Sequence, residues 1–274
     1  NSKIEAYHDV DASKPLMSKK PKAGKVSDQK ENKALGTTEF TLSNGIKVVL
    51  KSTDFKNDEV LFRAYRMGGT SLANDNDYFS ASLASSIIDE SGLGEFDATT
   101  LSKMLQGKRA GATPYISTLS EGIQGEASPK DIELMFQMIY MYFNEPRKDD
   151  EAFKSVLSRV KESIQNSSSS PDRIFGDTIN ATMGGYHFRA IPLKVEDLNK
   201  VNLQKAFDFY KSRFNNANDY TFLFVGNFKV NEIKPLIETY IASLNVDKSQ
   251  KSTFKDNGIK TPMNSLSKEV KKGI

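Results

Sequence analysis

Hydrophobic and polar residues alternate in short runs near the start of the chain, and this alternation predicts β-strands. Two runs within residues 38–51 flank Asn44 and Gly45, a pair typical of a type I′ hairpin turn because both central residues there need positive φ. A third run, residues 59–69, alternates and then ends at paired glycines. We therefore expect a hairpin followed by a further strand.

Residues 77–94 change to the periodicity of an amphipathic helix. Four apolar residues form one stripe along it: Leu83, Ala84, Ile87 and Ile88. Gly92 and Gly94 end the pattern, as glycine commonly does after the last turn of a helix. The serines of this segment are small enough to permit close helix packing. The helix is therefore expected to lie against the core.

Helical and strand patterns continue along the rest of the chain. A short helix is expected from Asp97, its N-cap, to Gly107, followed by a strand, a turn and a strand within residues 112–127. Further helices are expected at 130–143, about 149–165, about 172–183, from about 203, and at 229–244, with a strand ending at Gly226 before the last one. This order predicts an α+β fold, a largely antiparallel mixed sheet with helices packed on one face.

The patterning also divides the chain into three parts. Residues 1–36 are rich in Lys, Ser, Pro and Asp without a sustained period, which predicts an extended linker or a strap on a neighbouring domain. Residues 37–246 carry the folded α/β unit. Residues 247–274 are polar and are expected to lead towards a following unit. A chain that begins with Asn is expected to be a piece of something longer.

The composition argues against several classes of protein. The 38 Lys and Arg residues against 35 Asp and Glu leave a formal charge of +3, too small a bias to indicate nucleic acid as a partner. Zero Cys excludes a disulfide framework, a thiolate zinc site and a cysteine nucleophile. No apolar run reaches the ~18 residues that a transmembrane helix needs, so no transmembrane segment is expected.

Candidate catalytic chemistry is sparse in this sequence. The two histidines, His8 and His187, are far apart, whereas a histidine zinc site on a helix needs two at i and i+4. No Gly-x-Ser-x-Gly turn presents a serine nucleophile. Four acidic residues could hold a hard cation, but helix capping and solvation explain them more simply: Asp89, Glu90, Glu95 and Asp97. We therefore assign no catalytic residue and no metal ligand.

One short run offers chemistry for binding. Tyr186, His187 and Arg189 lie almost next to one another and form a candidate substrate-binding group for a peptide. A structural role is the alternative, because a single histidine beside aromatic residues often only packs.

Several segments in a fixed order carry a more specific signal. They cover about 38–246 and include "FTLSNGIKVVLKSTDFKNDEVLF", "SGLGEFDATTLSKMLQGK" and "FYKSRFNNANDYTFLFVGNF". Together they resemble the pitrilysin/insulinase family of zinc metallopeptidases, in particular its large two-halved bacterial members. The resemblance implies repeated α/β units, in two halves that close around an unfolded peptide, with zinc in the catalytic unit of the parent protein.

In that catalytic unit, the helix that matches residues 77–94 carries His-x-x-Glu-His, two zinc ligands around a general base. The matching positions here are Leu83, Ser86 and Ile87, none of which can bind zinc or take a proton. The resemblance therefore implies a non-catalytic unit, the third of four, which forms part of the substrate chamber and supports peptide binding. Such a unit would hold no cofactor and would be inactive alone.

The resemblance also implies partners and a location. The partners would be the other units of the same parent chain and a peptide or unfolded protein substrate, and the location would be the periplasm or the cell envelope. The alternative is a non-enzymatic assembly or scaffold protein with an inactive peptidase fold. A His-x-x-Glu-His motif in a similar unit before residue 1 would favour the peptidase. A peptide-binding module that acts alone is a third possibility.

Overall fold

A mixed β-sheet forms the centre of the computed structural model, which describes residues 14–262. Its seven strands are β1 (Val26–Asn32), β2 (Thr37–Leu42), β3 (Lys47–Ser52), β4 (Val60–Met67), β5 (Ala110–Ile116), β6 (Ser120–Ala127) and β7 (Thr221–Gly226). They lie in the order β1-β2-β3-β7-β4-β6-β5. The β3–β7 pair is parallel, and the other neighbouring pairs are antiparallel.

Seven α-helices lie outside the sheet within residues 14–262. They are α1 (Tyr78–Ser91), α2 (Ala98–Met104), α3 (Ile132–Asn144), α4 (Asp150–Ser167), α5 (Pro171–Met183), α6 (Leu203–Phe214) and α7 (Val230–Leu236). A π-helical turn, Ile237–Ile241, continues α7. The predicted fold class, α+β with a mixed sheet and helices, is confirmed.

The interior strand β4 shows how the two faces of the sheet differ. Its residues alternate between buried and exposed, with Val60, Phe62 and Ala64 pointing towards the helices. The Phe62 ring lies 4.8 Å from the ring of Phe224 in β7, which in turn stacks on Phe136 of α3 at 4.9 Å. This aromatic layer fixes the helices on one face and leaves the alternate residues of β4 on the other, open face.

The turn between β2 and β3 is not the predicted type I′ turn. Positive φ occurs at Gly45, at 92°, and not at Asn44. The Asn44 amide donates hydrogen bonds to the carbonyls of Ile241 and Leu244, at 3.0 and 3.1 Å. The prediction of this turn type was therefore wrong, because it rested on local propensity while Asn44 is held by a tertiary contact with the end of the last helical segment.

An edge strand lies within the segment expected to be a linker. Residues Val26–Asn32 pair antiparallel with β2, although their sequence, "VSDQKEN", has no apolar face. The preceding residues also lie on this unit, since Gly24 N–H donates to the Glu238 carbonyl at 2.8 Å and Leu16 is buried. Hydrophobic patterning did not predict this strand because edge strands can be solvated on both faces.

Candidate functional site

Helix α1 occupies the segment where the resemblance places a zinc-binding helix. Ile87 is fully buried, Leu83 packs against the core, and Ser86 is exposed. Two of these three positions therefore carry hydrocarbon that faces the core, and the third carries a hydroxyl. The residues present do not fit a zinc ion, which needs nitrogen, thiolate or carboxylate ligands.

Three of the four acidic residues at the end of this helix and just after it have a partner within the fold, and the fourth, Glu95, is exposed. Asp89 accepts a hydrogen bond from the Tyr142 hydroxyl at 2.5 Å, and Glu90 accepts two from Arg159, at 2.7 and 2.9 Å. Asp97 caps α2 by accepting from a backbone N–H. Within residues 14–262, no three His, Cys, Asp or Glu side chains come together as a metal-binding group.

Asp89 is a partly buried carboxylate with an unusual electrostatic setting. Burial raises its pKa, the hydrogen bond from Tyr142 lowers it, and the nearby charge of Glu90 raises it again, with a net upward shift. Burial raises the Tyr142 pKa well above its usual value as well. The phenol therefore stays protonated and donates, while the fold disfavours the charged form of Asp89.

We expect Asp89→Asn to stabilise the protein at neutral pH. Because the Asp89 pKa is raised in the folded state, the wild type loses stability as pH rises through that pKa, whereas Asn keeps the acceptor and never ionises. The Tm of the variant should exceed that of the wild type by about 1–3 °C at pH 7.5. The difference should vanish below the pKa that Asp89 has in the unfolded chain. Thermal unfolding at pH 3.5 and 7.5 measures it, and a lower Tm at pH 7.5 would show that the charge is stabilising.

The predicted substrate-binding group lies in the loop after α5, but its members face different surroundings. The Arg189 side chain is only 3% exposed and donates to the carbonyls of Thr70 and Ala73, at 2.9 and 2.7 Å, and to Asp75 at 2.7 Å. It therefore holds its own loop against the segment between β4 and α1. Tyr186 is half exposed, and His187 accepts from the Arg189 N–H at 3.3 Å. Peptide contact by Tyr186 and His187 stays a prediction.

The open face of the sheet is a surface that the sequence reasoning did not single out. Leu61, Tyr65 and Met67 of β4 project from it and are 41% to 47% exposed. In β7, Val225 lies opposite Leu61, and Leu223 lies opposite Arg63. The sequence of β4, "VLFRAYRM", does indicate an apolar open face. Large apolar residues occur at both alternating sets of positions, whereas a strand with one solvated face carries them at one set.

A groove of about 620 Å³ crosses this open face. Side chains from four neighbouring strands line it, including Leu61, Thr113, Gln124 and Leu223. Gly111 also lines the groove, and because glycine has no side chain it contributes backbone atoms. Its volume lies within the ~300–1,000 Å³ range of ligand-binding clefts. The mixture of apolar walls, amide groups and accessible backbone suits a peptide segment.

Arg63 is a cationic residue of the groove lining. The Arg63 guanidinium is 5.4 Å from the centre of the Tyr115 ring, a distance suited to a cation–π contact. The Tyr115 hydroxyl lies over Gly122, where an added Cβ would be 2.8 Å from it. This stack gives one end of the open face a positive charge above an aromatic surface.

Two known proteins are similar to the chain in sequence over most of its length. No protein-family model matches the chain. It is 28% identical over 242 residues to the zinc protease PQQL-like of Arabidopsis thaliana and 25% identical over 240 residues to the probable zinc protease PqqL of Haemophilus influenzae. The matches cover 88% and 83% of this chain but 23% and 24% of those proteins, so the chain spans about a quarter of the length of these curated relatives.

Solved structures share the fold at lower identity. The periplasmic protease PqqL from Escherichia coli has a TM-score of 0.77 at 19% identity, over 100% of this chain and 30% of that one. A mutant of the ferredoxin protease FusC, in complex with Arabidopsis ferredoxin, has a TM-score of 0.72 at 17% identity, over 89% and 27%. The peptidase M16 inactive domain from Pseudomonas fluorescens has a TM-score of 0.65 at 12% identity, over 83% and 54%.

Sequence and fold agree on the class of this chain. It is a peptidase-like unit of the pitrilysin/insulinase type, as the resemblance implied. The two relatives that are similar to it in sequence are named zinc proteases. Every helix within residues 14–262 is too short or too polar to cross a membrane.

Proposed function

We propose that this chain is a non-catalytic unit of a larger zinc endopeptidase and that its open sheet face forms part of the wall of a closed substrate chamber. The observation that carries the proposal is this face, which leaves apolar side chains such as Leu61, Tyr65 and Met67 exposed on a sheet otherwise packed under helices. Apolar surface of this kind marks binding sites more often than ordinary protein surface does.

The surroundings of α1 support the assignment of catalysis to another unit. Its motif positions, Leu83, Ser86 and Ile87, supply no zinc ligand, so zinc belongs to the catalytic unit of the parent protein under this proposal. The placement of this chain as the third of four units is part of the same proposal. The share of the relatives' length that the chain covers is consistent with it.

The substrate we propose is a peptide or unfolded protein. Exposed apolar side chains on the open face bind apolar side chains that a folded protein would bury, and closure around the substrate excludes water from the reaction. FusC was solved with a protein, ferredoxin, and PqqL of Escherichia coli is periplasmic. We accordingly propose a protein-derived substrate and the periplasm or cell envelope for this chain.

Replacement of two groove residues by glutamine tests this proposal. In the full-length protein, Leu61→Gln with Leu223→Gln should raise KM for an apolar peptide about three- to tenfold and leave kcat nearly unchanged, because ground-state and transition-state contacts are lost equally. Peptide-cleavage kinetics measures it. Phe55→Gln is the matched control, since Phe55 is 86% exposed in the loop before β4 and does not line the groove.

Two results would contradict the proposal. Equal KM values for the groove variant and the control would remove the open face from substrate binding. Absence of any chelator-sensitive cleavage by the full-length protein would instead support a non-enzymatic assembly protein with an inactive peptidase fold.

A further inference from the structure

Helix α5 displays a stripe of large apolar side chains to solvent. Phe175, Ile179 and Met183 follow one another at intervals of four residues and are 58%, 44% and 51% exposed. Four-residue spacing places them along one side of the helix. Ala181 is the one buried residue among the 13 of α5. The helix therefore turns its largest apolar side chains away from its own unit.

The size of this stripe restricts what can cover it. Three such side chains, about half exposed, offer on the order of 300 Å² of apolar surface, given ~150–250 Å² for a whole buried aromatic side chain. A stable dimer of separate chains buries roughly 800 Å² on each partner. A contact between linked units needs less, because a tether gives the second unit an effective concentration near millimolar.

The segment that leaves the folded unit runs towards this stripe. Ser252 donates to the Met67 carbonyl at 2.9 Å, and the Lys255 N–H donates to the Ser71 hydroxyl at 3.1 Å. Further along, the Lys260 carbonyl approaches Gly185, where an added Cβ would be 2.8 Å from it. The segment thus passes from the end of β4 to the loop directly after α5.

We propose that the α5 stripe is the contact surface for a second peptidase-like unit of the same protein, the one connected through residues 247–274. The proposal rests on the proposed function insofar as it takes this chain to be one unit of a longer protein. Its support is the apolar chemistry of the stripe, an area suited to a tethered partner, and a connecting segment that arrives beside it.

Methionine oxidation in the full-length protein tests the proposal. Met183 on the stripe and Met67 on the open sheet face are 51% and 41% exposed in this unit, so they would react at similar rates if no other unit covered either one. Under dilute hydrogen peroxide we expect Met183 to oxidise about tenfold more slowly than Met67, because coverage limits attack. Peptide mass spectrometry over a time course measures both rates in one sample.

A substitution within the stripe checks that coverage causes the protection. Ile179→Lys should restore fast oxidation of Met183, whereas Phe55→Lys, at another exposed apolar position, should not. Met183 reacting as fast as Met67 in the wild type would overturn the proposal, and so would protection that disappears on dilution, because a second copy would then be the partner. Slow oxidation of Met67 would contradict the proposal that the open sheet face lines the substrate chamber. The response of Met183 to Ile179→Lys would still decide whether another unit covers the α5 stripe.

Discussion

Glu121→Ala is expected to reduce the free energy of unfolding by about 3–5 kcal/mol, the usual cost of removing one partner from a buried ion pair. Glu121 is fully buried at the start of β6. One of its carboxylate oxygens accepts from the Nε atoms of Arg66 and Arg213, at 2.8 and 3.1 Å, and the other accepts from the Gly69 N–H. The variant would leave two guanidinium groups without their counter-charge.

The same network joins parts of the chain that lie far apart in sequence. Arg66 of β4 also donates to the carbonyls of Asn216 and Asn218, at 2.9 and 3.2 Å, just after α6. Its guanidinium carbon lies 4.6 Å from the centre of the Tyr220 ring. Loss of Glu121 therefore weakens the contact between the end of β4, the start of β6 and the end of α6.

An exposed ion pair in the same protein is the matched control. Asp58 pairs with Arg109, and both side chains are largely exposed. Asp58→Ala should cost far less than Glu121→Ala, because water and salt screen an exposed pair. Urea unfolding of both variants measures the difference, and Glu121→Ala should also lower Tm by about 10 °C. A cost for Glu121→Ala no larger than that of Asp58→Ala would show that the buried network does not hold these elements together.

The order of helices and strands could be predicted because each has its own hydrophobic period. The alternation of β4 and the apolar stripe of α1 are local patterns, and both elements lie where these patterns place them. Strand β1 has no apolar face, so no periodicity could indicate it. The turn at Asn44 depends on carbonyls about 200 residues further along, which local propensity does not include.

The candidate surfaces were predicted less completely than the elements. The sequence could show that Leu83, Ser86 and Ile87 supply no zinc ligand, since residue identity alone decides that point. It could not show that Arg189 folds inward onto the carbonyls of Thr70 and Ala73, because that contact spans more than 100 residues. The sequence also could not predict that the α5 stripe is exposed. An amphipathic pattern shows that a helix has an apolar side but not whether that side faces the core.

Gly122→Ala is the second substitution expected to have a large effect. Gly122 lies in β6 opposite Tyr65 of β4, and a Cβ added there would come within 1.9 Å of the Ala64 carbonyl oxygen. That oxygen belongs to the backbone of a central strand, so the strands would have to separate locally. We expect a loss of about 3 kcal/mol, at the upper end of the usual range for overpacking.

The adjacent strand supplies a control that separates steric conflict from the general effect of adding a methyl group to a sheet glycine. Gly111 in β5 has no atom within 4 Å of an added Cβ, and its φ is not positive. Gly111→Ala should therefore be neutral or stabilise by up to about 1 kcal/mol, since alanine restricts the unfolded chain. Urea unfolding of the two variants under one set of conditions measures both effects. Equal free energies of unfolding would mean that β4 and β6 can move apart at little cost, and the open face they share would then be a pliable surface rather than a fixed one.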